Sequence, residues 1–307
     1  MPRHFLTDLS LSHQEQAFVL DRADRMKRRP SDYRGVLAGK ILGMIFQKSS
    51  TRTRVSFEAG IIQLGGQAVF LSSKDVQIGR GEPVTDTAGV LSRYLDLIMI
   101  RTFAHDEVLQ LAQAATIPVI NGLDDLCHPC QALADLMTIR ERRGTLAGVQ
   151  LAYVGDGNNM ATSLLCAGAL AGMHVRVVAP PNYQPDAQML ASARRVATER
   201  HGSVEATSDL SAVAGADVVY TDVWASMGQE DQAEIRKRDF AAYQVNAALM
   251  RRAKPDALFL HCMPAHRGEE VTAEVIDGPQ SAIFDQAENR LHAQKALMTF
   301  LTLDTRL

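Results

Sequence analysis

The sequence predicts an α/β protein of two doubly wound domains, each built on a mainly parallel sheet and joined by interdomain helices. Three observations carry that reading. The chain has 307 residues, about two domains' worth at roughly 150 residues each. Short runs rich in Val, Ile and Leu recur between helix-length segments, as strands covered on both faces require. The unusual polar residues follow the C-terminal ends of those runs: Lys48–Arg54, Arg101, Asn121, Gly155–Asn159, Asp222 and His261–Cys262. Open α/β sheets bind ligands at that edge, so the pattern points to an enzyme-like cleft rather than a scaffold.

The predicted strands are Ile41–Phe46, Leu97–Ile100, Ile117–Ile120, Val149–Val154, Val175–Ala179, Ala216–Tyr220, Ala257–Leu260 and Ala282–Phe284. Between them lie helical patterns, such as Val55, Ala59 and Ile62 at i, i+4, i+7 spacing. A long helix is expected from Pro129 to about Arg143, with Leu133, Leu136 and Met137 on one face and an Arg-Arg-Gly ending suited to a helix C-terminus. The domain junction is expected there, because a fresh strand follows. Asn289–Leu307 reads as a last helix carrying Leu291, Met298 and Leu301.

The formal charge of −3 and pI near 6.3 argue against a general nucleic-acid binder. No apolar run reaches the roughly 18 residues of a membrane span, and the N-terminal MPRHFLTDLS has no signal-peptide core. The expected location is cytoplasmic. Four cysteines, Cys127, Cys130, Cys166 and Cys262, do not make a disulfide scaffold. The CHPC spacing at 127–130 suits a redox or half-zinc site, but no second close pair completes one.

The densest chemistry lies in KSSTRTRVSFEAG, Lys48–Gly60, where three cations and four hydroxyls fall within seven positions after an apolar run. If a helix begins near Thr51, its exposed amides and positive dipole end make an anion site. Ser50 caps it, Thr51 and Thr53 offer hydroxyls, and Arg52 offers a planar fork to phosphate oxygens. Capping alone explains one hydroxyl and none of the charge. The glycines of a P-loop are missing.

His128-Pro129-Cys130-Gln131 opens the mid-chain helix, with Pro129 at the first helical position and Gln131 within reach of the same end. A neutral His128 there can donate to a carbonyl or an anion. The GDGNN turn, Gly155–Asn159, has the look of a dinucleotide-binding turn. Met160 replaces the third glycine and the next strand ends in Ala179-Pro180 with no acidic residue, so the fingerprint fails. Asp222-Val-Trp-Ala-Ser226-Met227-Gly228 follows a strand and suits a loop that binds a cationic group, or a capping aspartate before a surface loop. His261-Cys262-Met263-Pro264 puts a thiol at another strand end.

STRTR at 50–54, RTF at 101–103, HPCQ at 128–131, DVWASMG at 222–228 and HCMPAHRG at 261–268 together resemble the transcarbamylases, and within them the ornithine carbamoyltransferase branch. The similarity runs in unbroken order from about Phe5 to the C-terminal helix. It implies a carbamoyl phosphate domain, residues 1–138 completed by a C-terminal helix at about 289–307, and an ornithine domain, 139–288. It also implies a homotrimer with active sites at subunit interfaces, no cofactor, no metal and a role either in arginine biosynthesis or, run backwards, in citrulline breakdown.

Carried over position by position, Ser50, Thr51, Arg52, Thr53, Arg101, His128, Gln131 and Arg290 would hold carbamoyl phosphate. Gln77 would reach a neighbouring subunit's site. Asn159, Asp222, Ser226, Met227, Cys262 and Met263 would hold L-ornithine. Met263 stands where many relatives have leucine, a swap that conserves volume.

The implied reaction is attack by a neutral δ-amine on the carbonyl carbon, with phosphate leaving. Arg52, Arg101 and His128 would stabilise the developing charge, and Cys262 would lie near the amine. Other acceptors, namely putrescine, N-acetylornithine and aspartate, fit Asp222 and the Ser-Met-Gly loop less well. A Rossmann dehydrogenase rests on GDGNN alone, and an anion-binding scaffold would show no turnover.

Overall fold

Seven of the eight apolar runs become strands, and with two further strands they form two parallel sheets among the described residues, which in this computed structural model are 2–72 and 82–304. The chain divides into two compact units, Met1–Ala134 with Glu288–Leu307, and Asp135–Ala287.

In the first unit the strands are β1 (Ile41–Phe46), β2 (Gln67–Ser72), β3 (Leu97–Arg101) and β4 (Val119–Leu123), ordered β2-β1-β3-β4. The helices are α1 (His13–Arg28), α2 (Thr51–Gln63), α3 (Val84–Leu91) and α4 (His105–Ala114), followed by the start of α5 (Pro129–Arg143). β1, β3 and β4 are almost wholly buried, and Ile45, Ile98, Ile100, Val108, Leu111 and Val119 pack into one apolar cluster. The strand order reverses between β1 and β3, whose C-terminal ends deliver Lys48–Thr53 and Arg101. Such a reversal opens a crevice in the sheet, the usual ligand position of a doubly wound fold.

The second unit has β5 (Gln150–Val154), β6 (His174–Val178), β7 (Ser203–Thr207), β8 (Val218–Thr221) and β9 (Leu258–His261), ordered β7-β6-β5-β8-β9. Its helices are α6 (Asn159–Leu170), α7 (Ala187–Glu199), α8 (Ala233–Phe240), α9 (Ala247–Met250), α10 (Ala273–Ile276) and the start of α11 (Ile283–Leu303). Here the reversal lies between β5 and β8, whose ends carry Asp156–Asn159 and Asp222. Trp224, Phe240, Tyr243, Phe259 and Val219 form the apolar cluster that supports them.

Three sequence expectations are corrected. Ala282–Phe284 is not a strand: Ser281 makes one bridge to Phe259, and the chain turns helical at Ile283. β2 and β7 are edge strands, exposed or half-buried at most positions; β7 lacks an apolar run, whereas β2 carries one, residues 68–71, that sequence reading missed. In α2 the spacing of Val55, Ala59 and Ile62 gives the right element but the wrong face. Val55 and Ile62 are each 57% exposed, and the helix buries Thr53, Ser56, Phe57, Gly60 and Ile61 instead.

Candidate active site

In the first unit the geometry is built around the N-terminus of α2. Ser50, extended and just outside the helix, accepts from the Thr53 amide at 3.2 Å and donates its own hydroxyl proton to Thr53 Oγ1 at 3.1 Å. This is an N-cap of ordinary form. The same Thr53 oxygen receives Arg290 Nη2 at 3.2 Å and Arg101 Nη1 at 3.5 Å. Two guanidinium groups therefore converge on one neutral hydroxyl at a helix N-terminus, all of them buried. An anion's oxygens satisfy such a cluster better than a hydroxyl does, because charged hydrogen bonds are about twice as strong as neutral ones.

Arg290 is itself held in place. Its Nη1 donates to Gln131 Oε1 at 2.6 Å. Gln294, with its amide oxygen facing the guanidinium, accepts from Arg290 Nε at 3.1 Å and Nη2 at 2.9 Å and donates to Ser56 Oγ at 2.6 Å. Gln294 was invisible to sequence reading, because a helical glutamine one turn from an arginine is common. His128, buried at the start of α5, sits in the field of Arg290, Arg101 and Arg52. Burial, and after it those three cations, hold its imidazole well below the ordinary 6.5, so it is neutral at pH 7. The first unit thus brings Ser50, Arg52, Thr53, Arg101, His128, Gln131 and Arg290 together. Thr51 is the first, exposed residue of α2. Gln77 lies outside the described residues.

The other cations of KSSTRTR serve the surroundings. Lys48 ion-pairs with Asp125 at 2.5 Å and lies 4.2 Å from the centre of the Phe103 ring. Arg54 stacks on Phe70 at 4.0 Å and approaches Glu58 at 3.5 Å one turn along.

In the second unit Asp222 is the centre. Its Oδ2 accepts from Asn158 Nδ2 at 2.9 Å, and its Oδ1 accepts from the Cys262 thiol at 3.0 Å. Asn158 also caps α6, its side chain accepting from the Met160 and Ala161 amides, and takes the Tyr153 hydroxyl proton at 3.2 Å. Sequence reading chose Asn159, the first, half-buried residue of α6, and missed the role of Asn158.

Beside Asp222 a second carboxylate, Asp156, is neutralised by Arg236, whose Nη1 reaches it at 2.7 Å and the Trp224 carbonyl at 2.8 Å. Burial raises the Asp156 carboxyl above the ordinary range; Arg236 opposes that shift and Asp222 adds to it. Asp156 and Arg236 were not singled out in the sequence, since the pair is 80 residues apart.

Cys262 and Met263 follow β9. His261, fully buried, shares Nε2 with Glu270 Oε1 at 3.2 Å, and its Nδ1 accepts from the Met263 amide at 2.8 Å. With Nδ1 accepting, the proton sits on Nε2 and points at Glu270. Met263 adopts the left-handed φ of +63°, uncommon for a non-glycine residue. Ser226 and Met227 lie in a turn with local bonds: the Ser226 amide donates to Gln229 Oε1 at 3.1 Å, and Met227 is 44% exposed.

Two groups offer three metal-ligating atoms within 4.8 Å of one another near these sites, Asp222 with His261 and Cys262, and His105 with Asp124 and Cys127. In both groups the carboxylate is engaged in hydrogen bonds. Cys127 and Cys130 are buried, and burial pushes the Cys130 thiol up to about 12, which leaves it inert.

Comparison with known proteins matches residues 3–141 to the carbamoyl-P binding domain of aspartate/ornithine carbamoyltransferase and residues 147–301 to its Asp/Orn binding domain. A protein of Oceanobacillus iheyensis named ornithine carbamoyltransferase is 59% identical over 307 residues, 98% of this chain and 95% of its own length. One from Symbiobacterium thermophilum with the same name is 64% identical over 266 residues, 86% of each. The solved ornithine carbamoyltransferase of Pyrococcus furiosus superposes with a TM-score of 0.95 at 51% identity, covering 100% of this chain and 98% of that one. The two parallel sheets and these matches give one conclusion: the chain belongs to the aspartate/ornithine carbamoyltransferase family.

Proposed function

We propose that this protein is an ornithine carbamoyltransferase, transferring the carbamoyl group of carbamoyl phosphate to the δ-amine of L-ornithine to give L-citrulline and phosphate. The observation that carries the reading is the meeting of Arg101 and Arg290 on Thr53 at the N-terminus of α2, with neutral His128 beside them. Thr53, Arg101 and His128 lie in the segment matched to a carbamoyl-P binding domain, and Arg290 reaches them from the C-terminal helix.

In the reaction the amine lone pair attacks the carbonyl carbon and a tetrahedral oxyanion forms. The bond from that carbon to the phosphate oxygen then breaks, phosphate leaves with the electron pair, and the amine nitrogen passes its proton to the departing phosphate. Arg52, Arg101 and Arg290 hold the phosphate and accept the charge it gains. Neutral His128 donates to the carbonyl oxygen as it becomes an oxyanion, with Gln131, Ser50, Thr51 and Thr53 completing the cradle. No covalent enzyme intermediate is needed, so positioning and electrostatics supply the acceleration.

On the acceptor side Asp222 takes the ornithine α-ammonium, with Asn159, Ser226 and Met227 around the backbone end. Arg236 supports this assignment by cancelling Asp156, which leaves Asp222 as the carboxylate for the substrate. Cys262 and the Met263 backbone lie toward the reacting amine. The acidic centre argues for an acceptor with an unmodified α-amino group, against putrescine and N-acetylornithine.

Gln77 is assigned to a neighbouring subunit's site in a homotrimer. The exposed Val55 and Ile62 of α2, with Val69 on edge strand β2, support an apolar contact there. We place the protein in the cytoplasm and in arginine biosynthesis; the same residues serve the reverse reaction. No described helix is long and apolar enough to cross a membrane.

The test is phosphate release from carbamoyl phosphate with ornithine, N-acetylornithine, putrescine and aspartate in parallel, with citrulline identified as product. Turnover confined to ornithine is expected. Turnover with another acceptor would overturn the Asp222 assignment and keep the phosphate site.

A further inference from the structure

The loop between β4 and α5 places His128 and Gln131, and its shape comes from one buried carboxylate that the reaction does not use. Asp124 is fully buried. Its Oδ1 accepts two consecutive amides, those of Leu126 and Cys127, each at 2.8 Å. Its Oδ2 accepts from Asn121 Nδ2 at 2.8 Å and from His105 Nδ1 at 2.6 Å. A carboxylate only accepts, so Nδ1 of His105 carries the proton in this pair.

The loop is tied at other points too. Asn121 Nδ2 also reaches the Leu6 carbonyl at 2.9 Å, the Asp125 amide donates to the Phe103 carbonyl at 2.8 Å, and the Asp124 amide donates to the Cys127 carbonyl at 3.1 Å. A register shift where β3 leaves β4 pairs Arg101 with Leu123 and sends the chain toward Asp124.

We propose that Asp124, braced by His105 and Asn121, is the positioning residue of the carbamoyl phosphate half-site: it fixes residues 125–127 and thereby the imidazole of His128 and the amide of Gln131. Two amides on one carboxylate oxygen fix the backbone of the two residues before His128. The next hydrogen bonds, from the Gln131 and Ala132 amides to the His128 carbonyl at 3.0 and 3.2 Å, already belong to α5. Nothing between Cys127 and α5 is long enough to absorb a displacement. Movement of the loop therefore reaches His128 and Gln131, and through Gln131 the Arg290 fork that it accepts from. The inference rests on the carbamoyl phosphate reading of this cluster.

The experiment compares Asp124→Ala, Asp124→Asn and His105→Ala with the unaltered enzyme, reading kcat, both KM values, the melting temperature and the Kd for inorganic phosphate by calorimetry. Asp124→Ala is expected to raise the KM for carbamoyl phosphate and the phosphate Kd about tenfold or more, with the ornithine KM unchanged. Asp124→Asn keeps an oxygen for the two amides and is expected to recover most of that loss. His105→Ala removes one brace and is expected to raise the same two constants about threefold. It also stands in for Asp124→Ala if that variant does not fold.

Carbamoyl phosphate and phosphate constants within twofold of the parent in a folded variant would overturn the proposal. So would a loss shared equally by both substrates and the melting temperature, which is what a merely structural carboxylate produces. If the unaltered enzyme turns nothing over, the functional reading fails by itself, and the phosphate Kd series still tests the positioning.

Discussion

Arg52 and His128 are the single side chains on which the proposed anion site can be tested most directly. Arg52 enters the field around His128 from the first turn of α2, while Arg101 and Arg290 are tied to Thr53. Arg52→Ala is expected to lower kcat/KM for carbamoyl phosphate by about 10²–10³-fold, the usual effect of deleting one preorganised donor. Steady-state kinetics close to those of the parent would remove Arg52 from the cradle.

His128 makes a prediction about stability. Its folded pKa is depressed by burial and by the Arg290, Arg101 and Arg52 charges, whereas the unfolded chain's imidazole titrates near 6.5. Below that pH the unfolded state binds a proton that the folded state refuses, so stability falls as pH drops, at a limiting slope of about 1.4 kcal/mol per unit. The penalty vanishes above pH 6.5. Urea melts of parent and His128→Gln at stepped pH should give a shallower acid-side loss for the variant; parallel curves would contradict the buried neutral imidazole.

At the level of elements, glycine in the GDGNN turn is required by a close approach. A β-carbon on Gly157 would stand 2.3 Å from Pro185 N and 2.5 Å from the Tyr183 carbonyl oxygen, both backbone atoms. Gly157→Ala is therefore expected to destabilise by about 3 kcal/mol in denaturant melts. A change within about 0.5 kcal/mol would mean that the turn yields easily.

The same turn shows what was legible beforehand. The strand-to-helix turn and its position at a sheet edge could be read from VQLAYV followed by small and polar residues. That Asn158 rather than Asn159 contacts Asp222 could not, because adjacent asparagines differ only in which one caps the helix. Helix α5 was legible to the residue, since Pro129 and Arg-Arg-Gly punctuate both ends. Edge strand β7 was hidden by its exposure and lack of an apolar run, and the buried face of α2 by two apolar residues, Val55 and Ile62, that point outward. Asp124, His105, Arg236 and Gln294 share another reason for escaping notice. Each acts through partners distant in sequence or through backbone amides, and spacing reveals neither.

For the whole molecule, the expected assembly is three chains of 33.5 kDa each, about 100 kDa by light scattering. Val55→Asp combined with Ile62→Asp should return a single-chain mass, because a charge on each side would oppose burial of that face. A doubly substituted protein that keeps its mass would move the contact elsewhere.

The burial of three cysteines has a practical consequence for the intact chain. Cys127, Cys130 and Cys166 are enclosed, while Cys262 is partly open and hydrogen-bonds Asp222. Alkylation of the native protein with iodoacetamide should stop at one adduct per chain, mapped to Cys262, with three more appearing only in denaturant. The protein thus carries a single-point chemical handle beside Asp222, so a fluorophore attached there would test the proposed acceptor site without any engineered cysteine.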